Sequence, residues 1–166
     1  MLDVHKAKPR NSRYGWIPDI PDARDRPFAM IRRKVKLPPA VALRLGCTPV
    51  EDQGNLGSCV ANALVGALEY LDRNDDTAEF IDWSRLQLYY DARAMRGWEN
   101  EDTGSYIRDA IKTLAKAGIC SEKTWPYVTT KFDKKPCQQA YTEAHDHTIS
   151  TYFRIQTLQD MLTCLA

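Results

Sequence analysis

A glycine-punctuated loop that runs into an apolar helix, with a cysteine at the join, constrains this chain more than any other stretch. Gln53 to Leu71 reads QGNLGSCVANALVGALEYL. Val60, Ala63, Leu64, Ala67, Leu68 and Leu71 recur at i, i+3, i+4 and i+7, which predicts a helix over about Ser58–Asp72 with these residues on its buried face. Gly54 and Gly57 let the chain turn sharply before that helix. Ser58 has the chemistry of an N-cap. Cys59 then falls in the first turn, where unpaired N–H groups and the positive end of the helix dipole favour a thiolate.

Most cysteines are small, buried and inert. Cys59 differs in three ways: it starts a helix, it follows Gly-Ser, and Gln53 lies six residues upstream on the same loop. A glutamine side-chain N–H and the backbone N–H of a helix-initiating cysteine can converge on one point. That pairing is an oxyanion hole for a thiolate attacking a carbonyl.

The motif Gln53-Gly54-x-x-Gly57-Ser58-Cys59 resembles the nucleophile motif of the papain-like cysteine peptidases. The resemblance implies that Cys59 is the nucleophile and Gln53 helps hold the oxyanion. Val60 stands where plant and lysosomal members usually carry an aromatic, and Leu56 where they often carry a disulfide cysteine. The nearer match is a bacterial subgroup with G-W-I-P-D-x-P-D-x-R-D near its start, here Gly15–Asp25, and L-P-P before the loop, here Leu37–Pro39. The order continues with Asp102-Thr103-Gly104-Ser105-Tyr106, then Ala117-Gly118-Ile119 and Trp125-Pro126-Tyr127, which is similar to the helical lobe of these enzymes. In the family a loop before the third helix pairs by its backbone with the extended substrate. Gly104 and Ser105 fall there, Tyr106 and Ile107 would wall the pocket for the second substrate side chain, and Gly57 and Ser58 complete the substrate contacts. Without the resemblance, the same residues read as a helix-capping loop and a core isoleucine.

With 166 residues the chain is long enough for one domain with a core. Residues 1–45 hold six of the nine prolines and eleven Lys or Arg against four Asp, so they read as an extended basic arm, suited to a short pro-segment. Trp16, Ile17 and Phe28 are its candidate anchors. Residues 46–166 hold twelve Lys or Arg against eighteen acids, so the arm is expected to lie on an acidic body or to stay mobile. Its basic residues are interrupted by prolines and acids, and no nucleic-acid partner is expected. No run of eighteen apolar residues occurs, and no membrane partner is expected. MLDVHKAKPR lacks an apolar signal region, which points to a cytoplasmic chain or an unrecognised export route. No cysteine pair has CxxC spacing, so no zinc site is expected, and the resemblance implies no other metal or cofactor. Mostly reduced thiols are expected. One or two bridges among Cys47, Cys120, Cys137 and Cys164 are the alternative.

A second helix is expected after Ser84, ending at Gly97. A third is expected to be capped by Ser105 and closed by Gly118, with a last one over Leu158–Leu165. Thr148–Arg154 is the best strand candidate, and residues 128–147 show no clear pattern. The predicted fold class is α+β: an arm over 1–45 and a mainly helical papain-like lobe over 46–166, with little β-structure. A lone lobe of this kind would leave an apolar face uncovered.

A thiol peptidase also needs a histidine as its proton carrier, usually oriented by an asparagine. Family spacing puts these beyond residue 166. His5, His145 and His147 carry no matching motif, and the last two read as solvated loop residues. The expected partners are therefore a peptide or protein substrate, and a C-terminal lobe or second chain that supplies His and Asn. The resemblance implies a cysteine-type peptidase acting through an acyl-thioester. The alternative is an inactive lobe that binds a peptide or protein.

Overall fold

The computed structural model describes residues 15–31, 35–76 and 79–166; His5 and the rest of residues 1–14 lie outside them. The helices are α1 (Cys59–Arg73), α2 (Arg85–Ala94), α3 (Ile107–Lys116), α4 (Gln138–Ala144) and α5 (Leu158–Leu165). Two short strands, β1 (Trp16–Ile17) and β2 (Ser105–Tyr106), pair in parallel, with Trp16 opposite Ser105 and Ile17 opposite Tyr106. The fold is the expected α+β class, mainly helical with little strand.

Helix α2 is buried on all sides and packs between α1 and α3. Its Leu86, Leu88, Tyr89 and Ala92 meet Val60, Ala61 and Val65 of α1 and Ala110 and Leu114 of α3 in the main core. Full burial of each leucine stabilises the fold by about 2 kcal/mol. A helix with no solvent face must pair its polar side chains internally. Ser84 caps it as expected: its Oγ accepts the Gln87 N–H at 3.2 Å and donates to the Trp125 carbonyl at 2.6 Å. Gln87 Oε1 accepts the Cys120 N–H at 2.7 Å.

Asp91 is the costly group on this helix. Burial pushes its carboxyl up to about 6, although the Tyr141 hydroxyl (2.7 Å) and Gln87 Nε2 (3.3 Å) both donate to it and favour the charged form. A folded-state value above the unfolded value of about 3.9 means that stability is complete below that pH and is lost as pH rises through 6. Urea melts of the parent should therefore lose up to about 3 kcal/mol from this group between about pH 4 and pH 8. The Asp91→Asn profile should be flatter by that amount, and parallel profiles would contradict the assignment.

Several expectations need correction. The buried stripe of α1 is Val60, Ala61, Val65 and Glu69, with Leu64 and Leu68 half-buried, whereas Ala63, Ala67 and Leu71 face outward. The helix is rolled toward α2, and Glu69 is tolerated inside because the Thr48 hydroxyl (2.8 Å) and the Trp83 N–H (3.4 Å) donate to it. Ser105 does not cap α3. It belongs to β2, where its N–H donates to the Gly15 carbonyl at 2.8 Å, and α3 starts at Ile107. Thr148–Arg154 forms no strand. Among the described residues its one ladder-like contact is a bridge from Arg154 to Pro27, a residue with no N–H to extend a ladder. The unpatterned 128–147 segment contains α4, anchored by the buried Ala140 and Ala144.

Among the described residues the arm docks through its acidic side chains, a contact that a basic arm on an acidic body did not anticipate. Its aspartates contact basic residues of the body: Asp25 receives both Arg108 and Arg154, Asp19 accepts the Arg108 N–H at 3.1 Å, and Asp22 lies 3.9 Å from Lys112. Of the expected anchors, Ile17 is buried with Trp98 and Tyr106, Phe28 is half-buried and Trp16 is exposed. Helix α5 is as predicted, with a Thr157–Asp160 capping box, and its Leu158, Met161, Leu162 and Leu165 stay exposed.

Candidate active site

The site is built where α1 begins. Gly54 turns the chain at φ 62°, and the loop then folds onto itself: Gln53 Nε2 donates to the Leu56 carbonyl at 2.8 Å, and the Ser58 N–H donates to the same oxygen at 2.8 Å. Ser58 sits at the N-cap position, but its side chain does not cap the helix. It is fully buried and forms part of a directed chain. Asn62 Nδ2 donates to Ser58 Oγ at 3.0 Å, Ser58 Oγ pairs with the Tyr127 hydroxyl, and Tyr127 donates to the Gln53 carbonyl at 3.1 Å. The chain ties the oxyanion-candidate loop, the first turn of α1 and the Trp125-Pro126-Tyr127 segment together.

Cys59 opens α1 and is half-buried. Burial raises its thiol pKa, and the backbone N–H groups of Val60 and of Cys59 itself pull it back down. The helix start thus supplies the stabilisation expected of it, but desolvation is larger and the net direction is upward. A base is needed to produce thiolate at neutral pH. All five cysteines are thiols, with Cys47, Cys137 and Cys164 exposed and Cys120 buried. Neither described histidine sits at the cysteine end of α1. His145 is exposed beyond α4. His147 is half-buried rather than fully solvated, because its ring packs at a tilt of 59° against Trp83, with centroids 4.8 Å apart. The Trp83 indole donates to Asp72 at 2.7 Å, thirteen residues along α1 from Cys59 or about 20 Å at the helical rise.

The predicted substrate edge lies beside this loop. Gly57 N–H donates to Asp102 Oδ1 at 2.9 Å, and Gly104 N–H donates to the Tyr89 hydroxyl at 3.1 Å. Ser105 and Tyr106 are buried in β2, and Ile107 is exposed at the start of α3. Gly15 of the arm is wedged between Gly57 and Gly104: a Cβ on Gly15 would lie 1.8 Å from the Gly57 carbonyl oxygen, and one on Gly104 would lie 2.1 Å from the Gly15 carbonyl oxygen. The structure thus brings together Gly57, Ser58, Cys59, Gly104 and Ser105, with β1 lying along the edge. Sequence reasoning missed Tyr89, Asp102, Asn62 and Tyr127 as parts of this assembly. Asn62 left a legible trace, as a polar residue one turn after Ser58 in an apolar run.

A helical lobe with a cysteine opening its first helix, under a glycine loop and beside a short extended edge, defines the helical half of a thiol-protease fold. A family model for papain family cysteine proteases matches residues 37–164, and the chain belongs to that family. It is 37% identical to xylellain, a cysteine protease from Xylella fastidiosa, with a TM-score of 0.80 over 92% of this chain and 62% of that one. It is 39% identical over 109 residues to an uncharacterized peptidase C1-like protein of Acanthamoeba polyphaga mimivirus, which is 66% of this chain and 35% of that protein. The digestive procathepsin L 3 of the Tenebrio molitor larval midgut shares the fold, with a TM-score of 0.64 at 21% identity over 84% of this chain and 44% of that one. The chain therefore spans only about a third to two thirds of the length of these relatives.

Proposed function

We propose that this chain supplies the nucleophile half of a peptidase that hydrolyses peptide bonds through an acyl-thioester on Cys59. The observation that carries the reading is Cys59 at the first position of α1, beside an edge whose Ser105 N–H already bonds the Gly15 carbonyl at the start of a paired strand. In this reading Cys59 Sγ attacks the substrate carbonyl carbon. The C–N bond breaks, the amine leaves with a proton, and water then hydrolyses the thioester. The Cys59 N–H and the Gln53 side chain hold the oxyanion, which requires Gln53 Nε2 to direct an N–H away from the Leu56 carbonyl. The proton carrier is a histidine from outside the described helical lobe, in a further lobe or a second chain. The arm over 1–45 acts as a short pro-segment, since Gly15 takes the backbone donor that a substrate strand would use.

A second reading, a lobe that binds peptides without cleaving them, draws on the raised pKa of Cys59 and the remoteness of His147. The discriminating measurement is competitive labelling followed by peptide mapping. Iodoacetamide should modify the exposed Cys47, Cys137 and Cys164 before Cys59. A limiting peptidyl epoxide should reverse that order, and the preference should vanish on unfolding. Epoxide labelling in the same order as iodoacetamide would sink the peptidase reading.

A further inference from the structure

We infer that Tyr89 and Asp102 are positioning residues that lock the nucleophile loop to the substrate edge at a fixed spacing; the inference deepens the reading of Cys59 as nucleophile and rests on it. Three hydrogen bonds form the lock. Asp102 accepts the Gly57 N–H, at 2.9 Å to Oδ1 and 3.2 Å to Oδ2. The Tyr89 hydroxyl donates its only hydrogen to Asp102 Oδ1. The same hydroxyl oxygen accepts the Gly104 N–H at 3.1 Å. Gly57 is two residues before Cys59, and Gly104 is one before Ser105. One hydroxyl and one carboxylate therefore determine where the nucleophile loop stands relative to the edge.

The lock is anchored on the buried helix α2. Tyr89 is fully buried at the centre of α2, and its ring lies against the Arg93 guanidinium, 4.0 Å from the ring centroid. Arg93 Nη1 in turn donates to the Glu99 and Glu101 carbonyls at 2.7 Å each, which holds the loop that presents Asp102. The spacing leaves no slack. A Cβ on Gly57 would meet Asp102 Oδ1 at 2.9 Å, Tyr89 Oη at 3.3 Å and Gly104 N at 3.4 Å. With every cysteine a thiol, no covalent bridge does this work. Burial raises the Tyr89 pKa far above the ordinary range, so the hydroxyl keeps its hydrogen, and its role, throughout the working pH range.

The test uses the full chain and three variants. Tyr89→Phe removes one oxygen without changing shape, Asp102→Ala removes the acceptor, and Asp102→Asn keeps an oxygen able to accept both donors. Peptidyl-epoxide inactivation separates binding (KI) from reaction at sulfur (kinact). Tyr89→Phe and Asp102→Ala should lower kinact at Cys59 by about 10- to 100-fold, the scale of a misplacement near 1 Å, while Asp102→Asn stays close to the parent. Iodoacetamide, which needs no oriented carbonyl or edge, should label Cys59 equally in all four proteins. Parental kinact in folded Tyr89→Phe would overturn the inference.

Amide hydrogen exchange provides the second measurement and does not depend on thiol chemistry. In Tyr89→Phe the Gly57 amide, whose hydrogen bond goes to Asp102 and not to Tyr89, should exchange at least about tenfold faster together with Gly104, while the Leu64–Leu68 amides of α1 hold their rates. An unchanged Gly57 amide would refute the lock. Faster exchange at both glycines, with no epoxide preference for Cys59 even in the parent, would uphold the lock and reject the nucleophile reading.

Discussion

Arg93→Met should destabilise the fold by about 3–5 kcal/mol, because it strands several buried carbonyl acceptors at once. Arg93 is fully buried without a carboxylate at hydrogen-bond distance among its recorded partners. Its guanidinium instead donates to backbone carbonyls: Tyr89 at 3.1 Å, Trp98 at 3.4 Å, Glu99 and Glu101 at 2.7 Å each, and Phe132. The rings of Tyr89 and Phe132 cover it, at 4.0 and 5.3 Å from their centroids. Methionine fills much of the volume but strands these acceptors, and each buried unpaired carbonyl costs about 1–3 kcal/mol before relaxation. Burial pulls the pKa of Arg93 downward, yet a guanidinium stays charged at neutral pH. Arg93→Lys should recover less than half of the loss, because three donors on one nitrogen cannot span a planar fork of carbonyls. Urea denaturation measures this directly, and a loss below about 1 kcal/mol for Arg93→Met would mean that the carbonyl cage is not what holds the 98–102 loop.

Gly15→Ala should lift the arm off the body without unfolding the helices. At φ 60° a side chain is already strained, and its Cβ would lie 1.8 Å from the Gly57 carbonyl oxygen, which is backbone and cannot swing aside. Beyond β1, the arm is held by Asp25 with Arg108 and Arg154, by Asp19 with the Arg108 N–H, by Arg108 on the Ile20 carbonyl, and by backbone hydrogen bonds from Phe28 to Arg154 and from Arg154 to Arg26, each 2.8 Å. The Asp25 and Arg108 side chains are 15% and 11% exposed, so this latch is only weakly screened by salt, and Gly15→Ala acts first on the β1 end of the arm. Trypsin should cut after Arg24 or Arg26 at least about tenfold faster in Gly15→Ala, while the urea midpoint of the helical body hardly moves. Epoxide labelling of Cys59 should quicken in parallel, because the Ser105 N–H is released. An arm as protected as the parent's would show that Gly15 is not the wedge. Hydrogen bonding from Arg108 holds the Asp25 carboxyl below its ordinary range. The latch is therefore intact above the unfolded carboxylate value of about 4 and weakens only as pH falls below it.

Family membership and the position of the helix that Cys59 opens were legible in the sequence because both rest on local chemistry. Glycines before a cysteine, a serine at a helix start and apolar spacing act within a few residues, and α1, α2 and α5 begin within a residue of where those signals place them. The roll of α1 was not legible. Ala63 and Ala67 satisfy the apolar spacing as well as Ala61 and Val65 do, and only the position of α2 selects between the two faces. Thr148–Arg154 has strand composition but no neighbouring strand among the described residues, and a strand exists only by pairing. The arm's net positive charge does not say which charges meet, and among the described residues two aspartates, Asp22 and Asp25, meet Arg108, Lys112 and Arg154. Sequence by itself determined the family, the cysteine and the helix that carries it, since those follow from contiguous residues. Tertiary structure alone decided that Gly15 lies against Gly57 and Gly104, and that Tyr89 and Asp102 join the two loops. Those contacts connect residues far apart in the chain, where no local spacing rule reaches.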